Sequence, residues 1–383
     1  MPLIKRYSWL VFIWLCGSCV DPFMPAIEEE QEVLVIEGVI TDRPGIHQVV
    51  VSRSAPFNDP SFEPVEGCVV RVEDELGTMK IYERTGPGRY TANLDVPFLG
   101  VGKCYRLIVH TPDGNEYQSE YDTLLACPPV DSIYCHVMQQ ETTDPEVTHS
   151  GLQFYVDVTG NASTCTNFRW LLEETWQYTS SYLIQYIWDG NELKEYLPPM
   201  YDYYTCYMTA PVRELFSGTT RILSVNSLRQ QPLHYVSNRT PRLKIKYSVL
   251  VTQQSLSNET HLYWDRIKSQ SAGGGGLYES QPSSAAGNIY NVSDAREKVL
   301  GCFYATQERS RRIMVENTFD FDVPGFRCKL DTISSLEELG TEYPYYMISL
   351  NPMTRRGPPY GVADPECFDC RLRGGVTTKP EYW

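Results

Sequence analysis

The stretch Val33-Leu-Val-Ile-Glu-Gly-Val-Ile40, followed by Gln48-Val-Val-Val-Ser-Arg-Ser54 and Cys68-Val-Val-Arg-Val-Glu-Asp74, decides the fold class. Each run is short and rich in β-branched side chains, and Asp42-Arg-Pro-Gly45 and a Pro/Asn-rich stretch between them carry turn chemistry. Outward from this block, Met79-Lys-Ile-Tyr82, Pro87-Gly-Arg-Tyr-Thr-Ala92, Cys104-Tyr-Arg-Leu-Ile-Val-His110 and the region of Tyr117 repeat the pattern. About seven short strands at regular turn spacing predict an antiparallel sandwich of immunoglobulin or transthyretin type over residues 33–126.

Cys127-Pro-Pro-Val-Asp131 marks the expected boundary. Beyond it, runs starting at Leu152, Phe168, Leu243, Val299 and Arg312 read as further strands, so residues 127–383 are expected to form a larger, mainly-β domain with one or two short helices. The helix that stands out is Asn258-Glu-Thr-His-Leu-Tyr-Trp-Asp-Arg-Ile-Lys268, with a polar start that can cap it and Leu262, Tyr263 and Ile267 on one stripe. Gly273–Gly276 ends it; this glycine run lacks the Lys and hydroxyl that a phosphate loop needs.

The chain of 383 residues carries 33 Lys and Arg against 48 Asp and Glu, a formal charge of −15, which argues against a nucleic-acid surface. Its start is different in kind. Lys5 and Arg6 precede the apolar run Tyr7–Leu15, which is too short to span a bilayer and reads as a secretory signal over residues 1–18. Gly17 and Ser18 before Cys19 suit a lipoprotein signal peptidase, making Cys19 the lipidated N-terminus. Cleavage before Cys16 would put bulky Leu15 at the cut, and an ordinary secreted chain cut nearby is the alternative. Loss of Lys5 and Arg6 takes the charge from −15 to −17, so attachment would rest on the acyl chains. Residues 19–32, with prolines and an acidic run, read as a tether.

Without Cys16 and Cys19 an even number of cysteines remains, which fits disulfides in an exported chain without fixing their connectivity. Cys367-Phe-Asp-Cys370 has the spacing of half a zinc site, but the second half is missing, so a short-loop disulfide is expected there. So short a loop adds little entropic stabilisation; its role would be to shape the tail, tied down by Trp383.

No motif points to a reaction. The six histidines are scattered, and no HExxH, GxSxG or P-loop pattern occurs, so no catalytic residue, cofactor or metal is expected. Glu173 and Glu174 lie beside Trp170 and Trp176, but neighbours on a strand point to opposite faces and cannot flank one glycosidic bond. The region of Tyr182, Tyr186, Trp188, Tyr201, Tyr203 and Tyr204 is dense in aromatics; it reads either as packing or as a surface for a partner or ligand.

Several strings together resemble a known family: Cys19-Val-Asp-Pro-Phe, Val33 to Asp42, Arg169-Trp with Glu174-Thr-Trp-Gln-Tyr, Gly287-Asn-Ile-Tyr-Asn-Val, Glu297-Lys-Val-Leu-Gly301, and the ending Cys367 to Trp383. They resemble the Bacteroidota lipoproteins catalogued as domain of unknown function four-two-four-nine, over nearly the whole mature chain. The resemblance implies an outer-membrane lipoprotein, commonly paired with a SusC-like TonB-dependent transporter, with no established catalytic residues. The expectation is a non-enzymatic accessory in substrate capture or gating. A surface enzyme acting on glycans or peptides and a structural or adhesive lipoprotein are the alternatives.

Overall fold

Ile36, Ile40, Val49, Val51, Val70 and Val72 are fully buried, whereas Glu37, Gln48 and Val69 between them are exposed. This alternation folds the first runs into strands with one face on a shared core. The computed structural model describes residues 32–55, 61–141, 148–272, 287–350 and 359–383. Cys19, the leader, nearly all of the tether and Gly273–Gly276 lie outside the described residues. The architecture is mainly β, with one α-helix among the described residues, Asn258–Ala272. No helix of the described residues is long and apolar enough to cross a membrane.

The first sheet pairs Leu34–Thr41 with Gly45–Arg53, then runs through Arg89–Leu94, Met79–Gly86, Val69–Asp74, Cys104–His110 and Glu116–Ser119. Residues 33–126 do not complete it. Ile289–Asn291 adds to Glu116–Ser119 at one end, while Val299–Leu300 and Phe303–Thr306 lie parallel to Leu34–Thr41 at the other, so the sheet curls almost into a barrel. The physical reason is edge protection. Leu34–Thr41 would otherwise present unpaired backbone groups, and parallel pairing requires chain from far away in sequence.

The return of residues 287–306 demands glycine at two points. Gly301 sits at φ +92°, and a Cβ there would come within 2.0 Å of the Ile36 carbonyl oxygen. A Cβ on Gly287 would meet the Gly301 carbonyl oxygen at 1.5 Å. These are two of the glycines in the strings that carry the family resemblance. Gly301 also explains why the run from Val299 breaks into two strands. Nearby, buried Asp122 accepts a hydrogen bond from Ala305 N at 2.9 Å, and burial raises its pKa to about 6.

The second unit is a sandwich. One sheet orders Val130–Glu141, Thr148–Thr159 and Ser227–Ser237; the other orders Thr205–Thr219, Asn167–Thr179, Lys246–Leu256 and Glu308–Glu316. Phe154, Val156 and Val158 from the first meet Phe168, Trp170, Tyr247, Val249 and Val251 from the second in one core. A smaller five-stranded sheet orders Leu193–Met200, Ile184–Trp188, Tyr345–Ser349, Tyr360–Val362 and Asp331–Ile333.

The helix is seated by Tyr263, Trp264 and Ile267, which pack on Leu256, Cys302 and Tyr304. Leu262, expected on that stripe, is 49% exposed, because the buried face instead runs through Thr260, Tyr263 and Ile267. Ser257 provides the cap: its Oγ accepts from Thr260 N at 3.2 Å.

Candidate partner surface and buried polar clusters

The dense aromatic segment divides between two faces of the small sheet. Ile184 and Ile187 turn inward with Tyr346 and Ile348, against Cys367 and Phe368. A register shift between Ile184 and Tyr186 lets both isoleucines point inward despite their spacing. Tyr186 and Trp188 consequently occupy the opposite face, registered against Met347 and Tyr345. Tyr360 completes that face, its ring 5.2 Å from Tyr186 in an edge contact. Tyr186 OH donates to Glu195 on the outermost strand at 3.1 Å. Leu197 on that strand is 90% exposed, and Tyr201 just beyond it is also exposed.

The other candidates serve the frame. The Tyr182 ring lies 5.5 Å from Phe368, and its hydroxyl donates to Cys328 O at 3.3 Å. Tyr203 is covered by the Arg371 guanidinium at 3.5 Å, and Tyr204 packs edge-on against Tyr201. Tyr182, Tyr186, Trp188, Tyr203 and Tyr204 are all half-buried, and Met347, which shares the face of Tyr186, is fully buried; of the six candidates only Tyr201 is exposed. The pairing adds Tyr345, from the aromatic run Tyr343-Pro-Tyr-Tyr346, and Tyr360, an isolated tyrosine after Pro358-Pro359 that carries no signal of its own.

Cys367 and Cys370 do not bond to each other. Cys370 joins Cys206, and Cys367 joins Cys328. The two residues sit in successive 3₁₀ turns, Pro365–Cys367 and Cys370–Arg373, and face different apolar clusters: Cys370 the one holding Tyr178 and Cys206, Cys367 the one holding Ile184 and Phe368. The bonds staple the tail to the large sandwich and the small sheet together. Beyond them, Val376 pairs with Tyr207, the Tyr382 hydroxyl meets Thr175 Oγ1 at 2.9 Å, and Trp383 Nε1 donates to Gln177 Oε1 at 3.2 Å.

A buried charge cluster closes one edge of the sandwich. As strand alternation requires, Glu173 is exposed and Glu174 is buried. Arg242, in the turn Pro241–Leu243, donates to both Glu174 oxygens at 2.7 and 2.8 Å, and Tyr247 OH donates to Oε2 at 2.9 Å. His234, from the facing sheet, holds Glu214 Oε1 at 2.9 Å through Nδ1, and its Nε2 lies 3.7 Å from Glu174. Burial pushes the Glu174 carboxyl up, but His234, Arg242 and Tyr247 together hold it below the ordinary range. Burial pushes His234 down, and the two carboxylates reverse that and raise it. The partners of Glu174 come from distant segments, and nothing in the sequence announces them.

A cleft of about 300 Å³ lies under the helix, lined by Gly38, Val39, Val50, Tyr263, Trp264 and Tyr304, with Glu37 and Gln48 at the polar side. Arg169 stacks on the Trp264 ring at 3.4 Å and donates to Tyr304 OH at 2.9 Å. Among the described residues, no group of three His, Cys, Asp or Glu side chains could hold a metal ion.

No curated protein matches the chain. Among solved structures, a mutant of Salmonella alpha-2-macroglobulin is similar at 10% identity, covering 75% of this chain and 15% of that one, with a TM-score of 0.18. A family model matches residues 20–312, the stretch that holds the first sheet with its returning glycines Gly287 and Gly301 and nearly all of the sandwich; the stapled tail lies beyond the match. The chain thus belongs to the family described as Domain of unknown function (DUF4249).

Proposed function

We propose that this protein is a lipid-anchored outer-membrane lipoprotein of Bacteroidota that acts without chemistry of its own, as an accessory to a SusC-like TonB-dependent transporter in substrate capture or gating. The observation that supports the reading is the exposed edge of the small sheet. Leu197 and Tyr201 stand out to solvent there, backed by the half-buried aromatics Tyr186, Trp188, Tyr345 and Tyr360, on a frame fixed by two disulfides. Large aromatics with few torsions bind a partner at low entropic cost, and pre-ordering by the staples lowers that cost further.

The glycosidase alternative loses its main candidate. A general acid needs a carboxyl held protonated near neutral pH, whereas Arg242 and Tyr247 keep Glu174 ionised and closed inside the sandwich. The test is recovery of the tagged chain from outer membranes solubilised in mild detergent. A β-barrel transporter should co-purify, and should be lost when Tyr186 and Trp188 are both replaced by Ser. Recovery without any β-barrel partner would count against the proposal.

A further inference from the structure

Outside the two disulfides the described residues hold six cysteines, and two of these face each other. Cys127 lies in the linker that leaves the first sheet, and Cys165 in the loop that enters the strand Asn167–Thr179. Cys165 N donates to Ala126 O at 2.8 Å, the carbonyl of the peptide unit that leads into Cys127. The Cys165 side chain lies near enough to the Cys127 sulfur for each to perturb the other's titration. Both residues are buried, at 4% and 5% exposure.

The surroundings hold this pair in place. Gln253 Nε2 donates to Pro128 O at 2.8 Å and reaches Cys127 Sγ at 3.5 Å, while Gln253 Oε1 accepts from Trp170 Nε1 at 3.0 Å. Cys127 N donates to Gln307 Oε1 at 2.9 Å. The hydrogen bond from Cys165 N to the carbonyl of the peptide leading into Cys127 sets the two backbones side by side, the approach that a bridge between buried neighbours requires. The disulfides Cys206–Cys370 and Cys328–Cys367 suit an oxidising compartment, in which neighbouring thiols can be oxidised to a bridge.

We propose that Cys127 and Cys165 are the site of a third disulfide, closed during folding by exchange with the oxidised dithiol of an exported thiol oxidase. The Cys127 thiolate attacks the disulfide of the oxidase, forming a mixed disulfide and releasing one oxidase thiolate. Cys165 then loses its proton and attacks the Cys127 sulfur, expelling the second oxidase thiolate. The pair gives up two electrons and two protons, and the oxidase disulfide becomes a dithiol. Because both sulfurs are buried, exchange precedes closure of the sandwich. The bond would tie the linker to the sandwich, fixing where the first sheet meets the second unit.

The experiment uses the full chain exported and purified without reductant, denatured in iodoacetamide, digested and mapped by mass spectrometry. A Cys127–Cys165 cross-linked peptide is expected, and an intact mass about 6 Da below the fully reduced chain, where two disulfides alone give about 4 Da. In Cys165→Ser, Cys127 should become alkylated in a position where the parent protein takes no label. Recovery of Cys127 and Cys165 from the parent as separate alkylated peptides, or of either bonded to another cysteine, would overturn the proposal.

Discussion

Removing the Arg242 guanidinium by Arg242→Ala would leave the Glu174 carboxylate with only Tyr247 at 2.9 Å and His234 at 3.7 Å. Glu174 is 8% exposed at its side chain and Arg242 is 23% exposed, so the pair is mostly withdrawn from water. Breaking such a pair by removing one partner costs about 3–5 kcal/mol, because a charge stays buried without compensation. The partial exposure of Arg242 lets some water reach the gap, which puts the expected loss near about 3 kcal/mol. Urea denaturation followed by tryptophan fluorescence would read this as a fall in midpoint of about 1 M or less, because the m-value of a chain this long is large.

The pH dependence has a definite sign. The lowered Glu174 contributes stability that is present above its ordinary pKa and is lost as pH falls through its lowered value. The raised His234 contributes stability that is present below its ordinary pKa and is lost as pH rises through its raised value. In Arg242→Ala the carboxyl can escape by protonation, so the deficit should be smaller at pH 4 than at pH 8. The double variant Glu174→Gln/Arg242→Ala should recover part of the loss. A loss under about 1 kcal/mol, or a double variant no better than the single one, would refute the view that buried charge pairing holds this edge.

Other perturbations follow from the same structure. Cys206→Ser/Cys370→Ser opens a loop of 164 residues, for which chain entropy alone gives about 5 kcal/mol, so the denaturation midpoint should fall sharply and the chain beyond residue 370 should become protease-sensitive. Gly301→Ala forces a positive φ and a backbone clash and should cost at least about 1–3 kcal/mol, read by thermal melting; an unchanged melt would contradict the close approach to Ile36. Asp122→Asn keeps the acceptor for Ala305 N and removes a carboxyl that folding raises to about 6, so relative to the parent it should gain up to about 3 kcal/mol between pH 3.5 and pH 8. Cys19→Ser should release the chain into the soluble fraction, and intact mass of the mature parent should show a diacylglyceryl cysteine.

The strands were legible because alternation is local: Val33 to Ile40, with its turns, is a half-buried strand whatever it pairs with. Its partner was not. Parallel pairing with Phe303–Thr306 joins positions more than 260 residues apart, and the signal was two glycines whose meaning, contact with Ile36 and with each other, appears only in three dimensions. The spacing of Cys367 and Cys370 suggested a local bond, but intervening turns aim the two sulfurs at different clusters, and sequence proximity carries no direction. The aromatic surface was half legible: Tyr186 and Trp188 were visible as a run, but the register shift that separates them from Tyr182, and the arrival of Tyr345, depend on strand pairing.

On the reading proposed above, the exposed edge of the small sheet meets a transporter. A photo-crosslinking amino acid in place of Leu197, which is 90% exposed at that edge, tests it in living cells, with Ile222, 87% exposed on the loop after Thr205–Thr219, as the control position. An ultraviolet-dependent adduct is expected between the Leu197 variant and an outer-membrane β-barrel protein, and none from the Ile222 variant. No adduct at Leu197, or equal adducts at both positions, would contradict it.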